Sequence, residues 1–162
     1  LSEATMTVLE PSAGIGSIAD SIPSHHLLHV CELNYSLQKI LTDKGYNLVG
    51  TDFLEYQPER NYTDGDIKFD GYDRILMNPP FENGADRTHI QHAFELLAPR
   101  GKLVAIASEH SWFASHKADR EFIHWFNMLG GQSEKLPTGT FLSSQRPTGV
   151  NTRLITLQRL DE

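Results

Sequence analysis

One tetrapeptide in this sequence, Asn78-Pro79-Pro80-Phe81, has the parts for a demanding reaction. An amino group conjugated to an aromatic ring, such as the exocyclic amine of adenine, is a poor nucleophile because its lone pair is delocalised into the ring. An asparagine side-chain oxygen and the backbone carbonyl of the next residue can accept the two amine hydrogens. Those bonds favour a pyramidal nitrogen with its lone pair aimed at a methyl donor. They also stabilise the positive charge that grows on nitrogen during transfer. Successive prolines hold φ near about −65° and keep the residues before them extended, so the Pro79 carbonyl is rigidly aimed. Phe81 offers a face on which a base can stack. The chemistry requires no strongly basic side chain.

Residues suited to holding a donor recur at the ends of predicted strands. The first apolar stretch runs into Glu10-Pro11-Ser12-Ala13-Gly14-Ile15-Gly16, where small residues let the backbone pass close to a ligand. Ala19 stands where the dinucleotide fingerprint has its third glycine; the looser fingerprint accepts alanine, so the glycines alone leave a nicotinamide cofactor open. Glu10 and Pro11 argue against it, because a carboxylate repels a pyrophosphate but attracts a sulfonium or an ammonium. Glu32, followed by Leu33, ends the second predicted strand about 20 residues after the loop begins, where a carboxylate accepts hydrogen bonds from ribose hydroxyls. Asp52 follows the third strand and can accept from an adenine amino group, with Phe53 or Leu54 covering the ring face. Each position alone has a plainer reading: a tight strand-to-helix turn, a solvated charge and a capping aspartate. Three acidic strand ends in succession are more specific than any one of them.

The elements that must position these residues alternate along the chain. Strands are predicted over residues 7–10, 27–33, 47–51, 72–77, 102–107 and 153–158, with a further short one at 133–136. Ile15, Ile18, Ala19 and Ile22 have helical spacing before Pro23 stops the run. Asn34 is a predicted N-cap for a helix with Leu37, Ile40 and Leu41 on its apolar face, ending at Gly45. Residues 86–98 place Ile90, Ala93, Phe94 and Leu97 on one helical face, and 117–129 form another helix through Phe122, Ile123 and Phe126. Residues 56–72 are polar and turn-rich and read as loop. Alternation of this kind implies an α/β fold with a mostly parallel sheet covered by helices on both faces. In such sheets ligands bind beyond the carboxyl ends of the strands, at the switch point, and all the residues singled out lie there.

A chain of 162 residues suits a single domain, here 1–162, with a real core. No apolar run approaches the roughly 20 residues that span a bilayer, and the N-terminus lacks the basic start and long apolar stretch of a signal peptide. A membrane partner is therefore not expected. Cys31 is the only cysteine, which excludes an intramolecular disulfide and a cysteine metal cluster and points to a reducing, cytoplasmic setting. In its apolar run Cys31 reads as a buried small hydrophobe. The formal net charge of −7, with 14 Lys plus Arg, implies weak hold on a phosphate backbone unless basic residues cluster or another domain or subunit supplies affinity. The chain starts at Leu1 rather than Met and its first strand begins near Thr7, as expected of a domain excised from a larger chain.

Taken together these residues resemble the class I S-adenosylmethionine-dependent methyltransferases, most closely the amino-methyltransferases of the N6-adenine DNA type found in restriction-modification systems and phages. The resemblance is carried by VLEPSAGIG (8–16), CELN (31–34), GTDFLEY (50–56) and NPPF (78–81), with HAFELLAPRGKLVAI (92–106) and GTFLSSQRPTGVNTRLITLQR (139–159) similar to later elements. It implies a Rossmann-like, seven-stranded sheet with the last strand antiparallel. It also implies S-adenosyl-L-methionine held by Glu10, Pro11, Ala13, Gly14, Gly16, Glu32, Leu33, Asp52, Phe53 and Asn78. Catalysis then falls to Asn78, Pro79, Pro80 and Phe81, and the loop of the C-terminal hairpin helps embrace the target base. On this reading residues 1–162 are not expected to include a target-recognition domain of useful size or the family's upstream cofactor motif. Relatives with NPPF also methylate adenine in RNA and glutamine side chains in proteins; the EPSAG wording favours DNA. A catalytically silent cofactor-binding subunit of a larger assembly is the remaining alternative.

Other features take lesser roles. His25, His26 and His29, with His89 and His92, lack a completing carboxylate or cysteine pattern and read as surface histidines rather than a metal site. Trp112 or Phe113 could contact a flipped base or serve as core or lid. Residues 82–88 read as a mobile loop that orders over substrate. Lys117, Arg120, Arg146 and Arg153 are candidates for phosphate contact.

Overall fold

A computed structural model of the chain describes residues 4–113, 116–139 and 151–161. The main sheet contains β1 (Thr7–Glu10), β2 (Leu27–Cys31), β3 (Asn47–Gly50), β6 (Tyr72–Met77), β7 (Leu97–Ser108), β8 (Gln132–Lys135) and β9 (Thr152–Gln158). Their order is β3-β2-β1-β6-β7-β9-β8. β9 runs antiparallel to both of its neighbours and the other six strands share one direction, as the resemblance implied. The strand order reverses between β1 and β6. Leu9, Ile75, Leu103 and Leu157 lie side by side in register across β1, β6, β7 and β9 and are at most 1% exposed. That row anchors the core and fixes which strand ends face the same way. Among the described residues no helix is long and apolar enough to cross a membrane.

The helices follow the pattern read from the sequence, with differences that have physical causes. Helix α1 (Tyr35–Asp43) is capped by Asn34, whose side chain accepts from the Leu37 N–H at 3.2 Å. Leu41 of α1 is buried, but Ile40 is 39% exposed and does not belong to the apolar face. The expected helix through Ile15 and Ile22 is absent: only a 3-10 turn, Ala19–Ser21, forms there. Gly14 and Gly16 both take positive φ, which breaks any helical run, and too few residues then remain before Pro23. Residues 56–72 are not all loop, because β4 (Tyr62–Asp64) and β5 (Ile67–Phe69) pair as a small hairpin. The two residues between them are Gly65, at φ +59°, and Asp66.

Helix α2 (Ala85–Glu95) ends earlier than the spacing predicts. Leu97 already pairs with Tyr72 at the start of β6, and a register shift between Tyr72 and Arg74 absorbs Pro99, Arg100 and Gly101. Gly71 takes φ +104°, and a Cβ there would lie 2.8 Å from the Ala98 nitrogen, so only glycine fits at this crossing. Residues 82–88 are a 3-10 turn, Glu82–Gly84, running into α2, rather than an open loop. The short helix α3 (His110–Phe113) and the longer α4 (Lys117–Met128) follow β7.

His29 is 4% exposed, so it is a core histidine and not a surface one. Its Nδ1 lies 2.8 Å from the Tyr72 hydroxyl, which lies 2.7 Å from that of Tyr56. Burial drives the His29 pKa down, partly opposed by Asp64. The unfolded chain then binds the proton more tightly than the native state. The stability that His29 contributes is complete above its unfolded value near about 6.5 and is lost as pH falls below it. We predict that the thermal midpoint declines between pH 7 and pH 5 and that His29→Gln flattens the decline; an unaltered slope in the variant would assign the pH dependence elsewhere.

Candidate active site

The carboxyl ends of β1, β2 and β3 meet in one cleft, lined by Pro11, Ser12, Glu32, Leu33, Thr51, Asp52, Phe53 and His89. Glu32 is 4% exposed and ties the cleft together. Its Oε2 accepts from the Gly14 N–H at 2.8 Å and its Oε1 from the Asn34 N–H at 3.1 Å. The loop after β1 is further joined to β2 by the Ala13 N–H, which donates to the Cys31 carbonyl at 3.0 Å. Ala13 is buried against Ala19, Val30 and Leu41. The Cys31 thiol is pushed up to about 12, by burial first and Glu32 second, so it stays protonated and unreactive.

Asp52 caps the 3-10 turn Phe53–Glu55, accepting from the Leu54 N–H at 3.0 Å, while it lines the cleft. Its capping role and its place in the cleft therefore coexist. Phe53 is buried, with ring centroids 4.8 Å from His92 and 5.8 Å from His89. His92 is fixed in turn by its Nε2, 2.9 Å from the Tyr56 carbonyl. The cleft thus combines two carboxylates, main-chain polar groups and one apolar wall.

Five of the sequence-predicted cofactor residues line this cleft directly: Pro11, Glu32, Leu33, Asp52 and Phe53. Ala13 and Gly14 are bonded to its floor through Cys31 and Glu32. Glu10 lies one residue deeper, at the end of β1 and 2% exposed. Gly16 packs away from the cleft against Tyr46 and Leu41. Asn78 follows β6, directly beside β1 in the sheet, so Glu10 and Asn78 stand at the same edge at the order reversal.

A second cleft of about 280 Å³ opens where β6 and β7 end. Phe81, Gly84, Arg87, Ser108, His110 and Ser111 line it, with Asp119 of α4. Arg87 and Asp119 form a largely buried ion pair across it. Beneath lies Asp86, fully buried, accepting from the Ser108 N–H at 2.9 Å and reached by the Ser111 hydroxyl at 3.4 Å. Burial raises the Asp86 pKa, against the lowering effect of its donors from Ser108, Arg87 and Ser111. Along the sheet edge, Asn78 and Pro79 fall between the two clefts, because β6 lies between β1 and β7. Helix α2 borders both, with His89 toward the first and Arg87 toward the second.

The Asp86 contacts and the Arg87–Asp119 pair escaped the sequence reading. Residues 32 positions apart declare no partnership until the topology brings α2 against α4. Trp112 takes the core role: its ring lies 5.3 Å from Phe126 and 5.7 Å from Phe122, whereas Phe113 is exposed. Arg153 is engaged by Glu109 at 3.2 Å and sits over the Trp112 ring at 5.7 Å, which removes it as a free phosphate contact. Lys117 and Arg120 are exposed, Lys117 lying 3.6 Å from Glu121. Arg146 and most of the expected C-terminal hairpin loop lie outside the described residues. Among the described residues no group of three or more His, Cys, Asp or Glu could hold a metal ion.

Known structures share this architecture. A modification subunit assigned to a type I restriction enzyme of Vibrio vulnificus superposes with a TM-score of 0.69 at 18% identity, over 95% of this chain and 40% of its own. A protein of Listeria monocytogenes assigned to the class I S-adenosylmethionine-dependent methyltransferases gives 0.68 at 13% identity, over 98% and 55%. The fold is that of the class I methyltransferases. A 16S rRNA N2 methyltransferase of Thermus thermophilus, solved with AdoMet and guanosine, gives 0.63 at 15% identity, over 100% of this chain and 37% of its own. The chain thus spans well under two thirds of each of these proteins. Neither protein-family models nor curated protein sequences give a match.

The Glu32 bonds make a direct structural test. Glu32→Ala removes the shared acceptor of two main-chain N–H groups, those of Gly14 and Asn34, and is expected to destabilise the chain by about 1–3 kcal/mol. Chemical denaturation measures this, and a loss below about 0.5 kcal/mol would show that the carboxylate is not the tie between these segments.

Proposed function

We propose that this domain is an S-adenosylmethionine-dependent methyltransferase that acts on an exocyclic amino nitrogen, adenine N6 in DNA. The observation that carries this is the placement of Asn78-Pro79-Pro80-Phe81 at the strand-order reversal, with an acidic cleft on one side and a cleft walled by Phe81 on the other.

The first cleft fits the cofactor by its donor set. Glu32 and Asp52 offer acceptors for ribose hydroxyls and an adenine amino group, and Phe53 and Leu33 offer apolar surface. Glu10, at the end of β1, adds negative potential that favours a cation. When bound there, the cofactor supplies a methyl group made electrophilic by its sulfonium. The chain's own part is to orient the nucleophile. Asn78 and the Pro79 carbonyl accept the two amine hydrogens, localise the nitrogen lone pair and stabilise the developing charge. Phe81, which lines the second cleft, stacks on the base. A base in duplex DNA reaches this cleft only by leaving the helical stack. With a net charge of −7, the domain depends on another domain or subunit for DNA affinity and target choice. The likeness to a restriction-enzyme modification subunit, of which the chain spans 40%, supports that arrangement.

Tritiated-methyl transfer to adenine-containing DNA, RNA and protein, assayed side by side, tests the proposal; label in DNA adenine is expected. Label confined to RNA or to protein glutamine would transfer the same chemistry to another polymer. Asn78→Ala is expected to lower transfer at saturating cofactor by about a hundredfold or more. Full activity in that variant would defeat the assigned mechanism. Asp52→Ala is expected to weaken cofactor binding about tenfold, as loss of an acceptor in the pocket requires. An unchanged dissociation constant by calorimetry would remove Asp52 from the pocket.

A further inference from the structure

Between β1 and β2 the chain forms no α-helix, only the turn Ala19–Ser21, so no helical hydrogen-bond ladder fixes the glycine loop. Glu32 and Cys31 hold its first residues, and the rest of its support comes from the turn between α1 and β3. Lys44 Nζ donates to the Ile15 carbonyl at 2.7 Å and to Asp20 Oδ2 at 2.9 Å. The Tyr46 hydroxyl donates to Asp20 Oδ1. The Asp20 N–H donates to the Gly16 carbonyl at 2.7 Å, closing the circuit onto the loop.

Packing reinforces the bonds. Gly16 takes φ +92°, and a Cβ there would come within 3.1 Å of the Tyr46 ring and 3.3 Å of Leu41. Gly45, at φ +87°, reverses the chain after α1 between the two residues that reach Asp20. The electrostatics are consistent: hydrogen bonds from Tyr46 and then Lys44 hold Asp20 below the usual carboxylate range. The bond to Asp20 in turn pushes the Tyr46 phenol up to about 12. At neutral pH Asp20 is therefore a carboxylate and Tyr46 a neutral phenol donor. An exposed ion pair by itself contributes little. This one also grips the Ile15 main-chain carbonyl, directly beyond the Ala13 and Gly14 N–H groups that Cys31 and Glu32 hold, so it restrains the far side of the loop.

We infer that Lys44, Asp20 and Tyr46 form a positioning clamp that holds the loop at 14–16 in its cofactor-ready shape and so sets cofactor affinity rather than the rate of methyl transfer. This rests on the reading of the first cleft as the S-adenosylmethionine site. A preformed loop loses less conformational freedom on binding, which is the physical route from clamp to affinity.

Calorimetry with S-adenosylmethionine and amide hydrogen exchange of the ligand-free chain test it together. Lys44→Met and Tyr46→Phe are each expected to raise the dissociation constant about fivefold to tenfold. Each should also accelerate exchange over residues 13–20, while the maximal rate at saturating cofactor and the thermal midpoint hold. Lys44→Arg, which keeps a donor cation, should recover most of the affinity. Unchanged exchange overturns the clamp, and faster exchange with an unchanged dissociation constant overturns its role in affinity. A wild-type chain that binds no S-adenosylmethionine overturns the reading of the cleft and the cofactor role with it; the exchange rates still report separately whether the clamp braces the loop.

Discussion

The N–H groups of Gly14 and Asn34 belong to segments that leave adjacent strands, and both end on the carboxylate of Glu32. A nearly buried carboxylate is tolerated only where hydrogen bonds replace lost water, and here each oxygen has a main-chain donor. The bonds fix how the loop after β1 leaves the sheet, where α1 begins and how far apart the walls of the first cleft stand. Asp52 repeats the device on a smaller scale, capping the turn after β3 while facing the same space. Acidic residues at these strand ends therefore shape the cleft as well as giving it chemical character.

The second cleft is built by a related rule applied to different elements. Asp86 enters the sheet edge from the first turn of α2 and is satisfied by Ser108 and Ser111 from the end of β7 and from α3. Arg87, its neighbour, turns to Asp119 of α4. Two consecutive residues thus lock one helix to three other elements. Such a buried pair defines geometry more than it adds stability, since desolvation offsets much of the attraction.

Much of this was legible in the sequence because local signals and global packing agree. β1 and β6 have their expected bounds: each is a short strand with an apolar pair, Val8-Leu9 or Ile75-Leu76, and a proline soon after it. Asn34 caps α1 as its position before a periodic helix requires. Where the reading failed, tertiary geometry or an overlooked turn prevailed. Isoleucine spacing suggested a helix after Gly14, but two glycines at positive φ spend those residues on a loop. The Gly65-Asp66 turn between alternating residues was a hairpin signal hidden by the polarity around it. His29 looked like surface because it neighbours other histidines, yet its place in β2 puts it in the core beside Tyr72. The ion pair of Arg87 with Asp119 leaves no trace in spacing.

Helix α2 has a mechanical consequence. It is a short rigid rod of 11 residues whose opposite flanks form a wall of each hollow. Asp86 pins its first turn, while His92 on the Tyr56 carbonyl and Arg60 on the Glu95 carbonyl hold its last, so the rod is fixed at both ends. One fixed partition therefore sets the width of both hollows, as a party wall does for the rooms on either side.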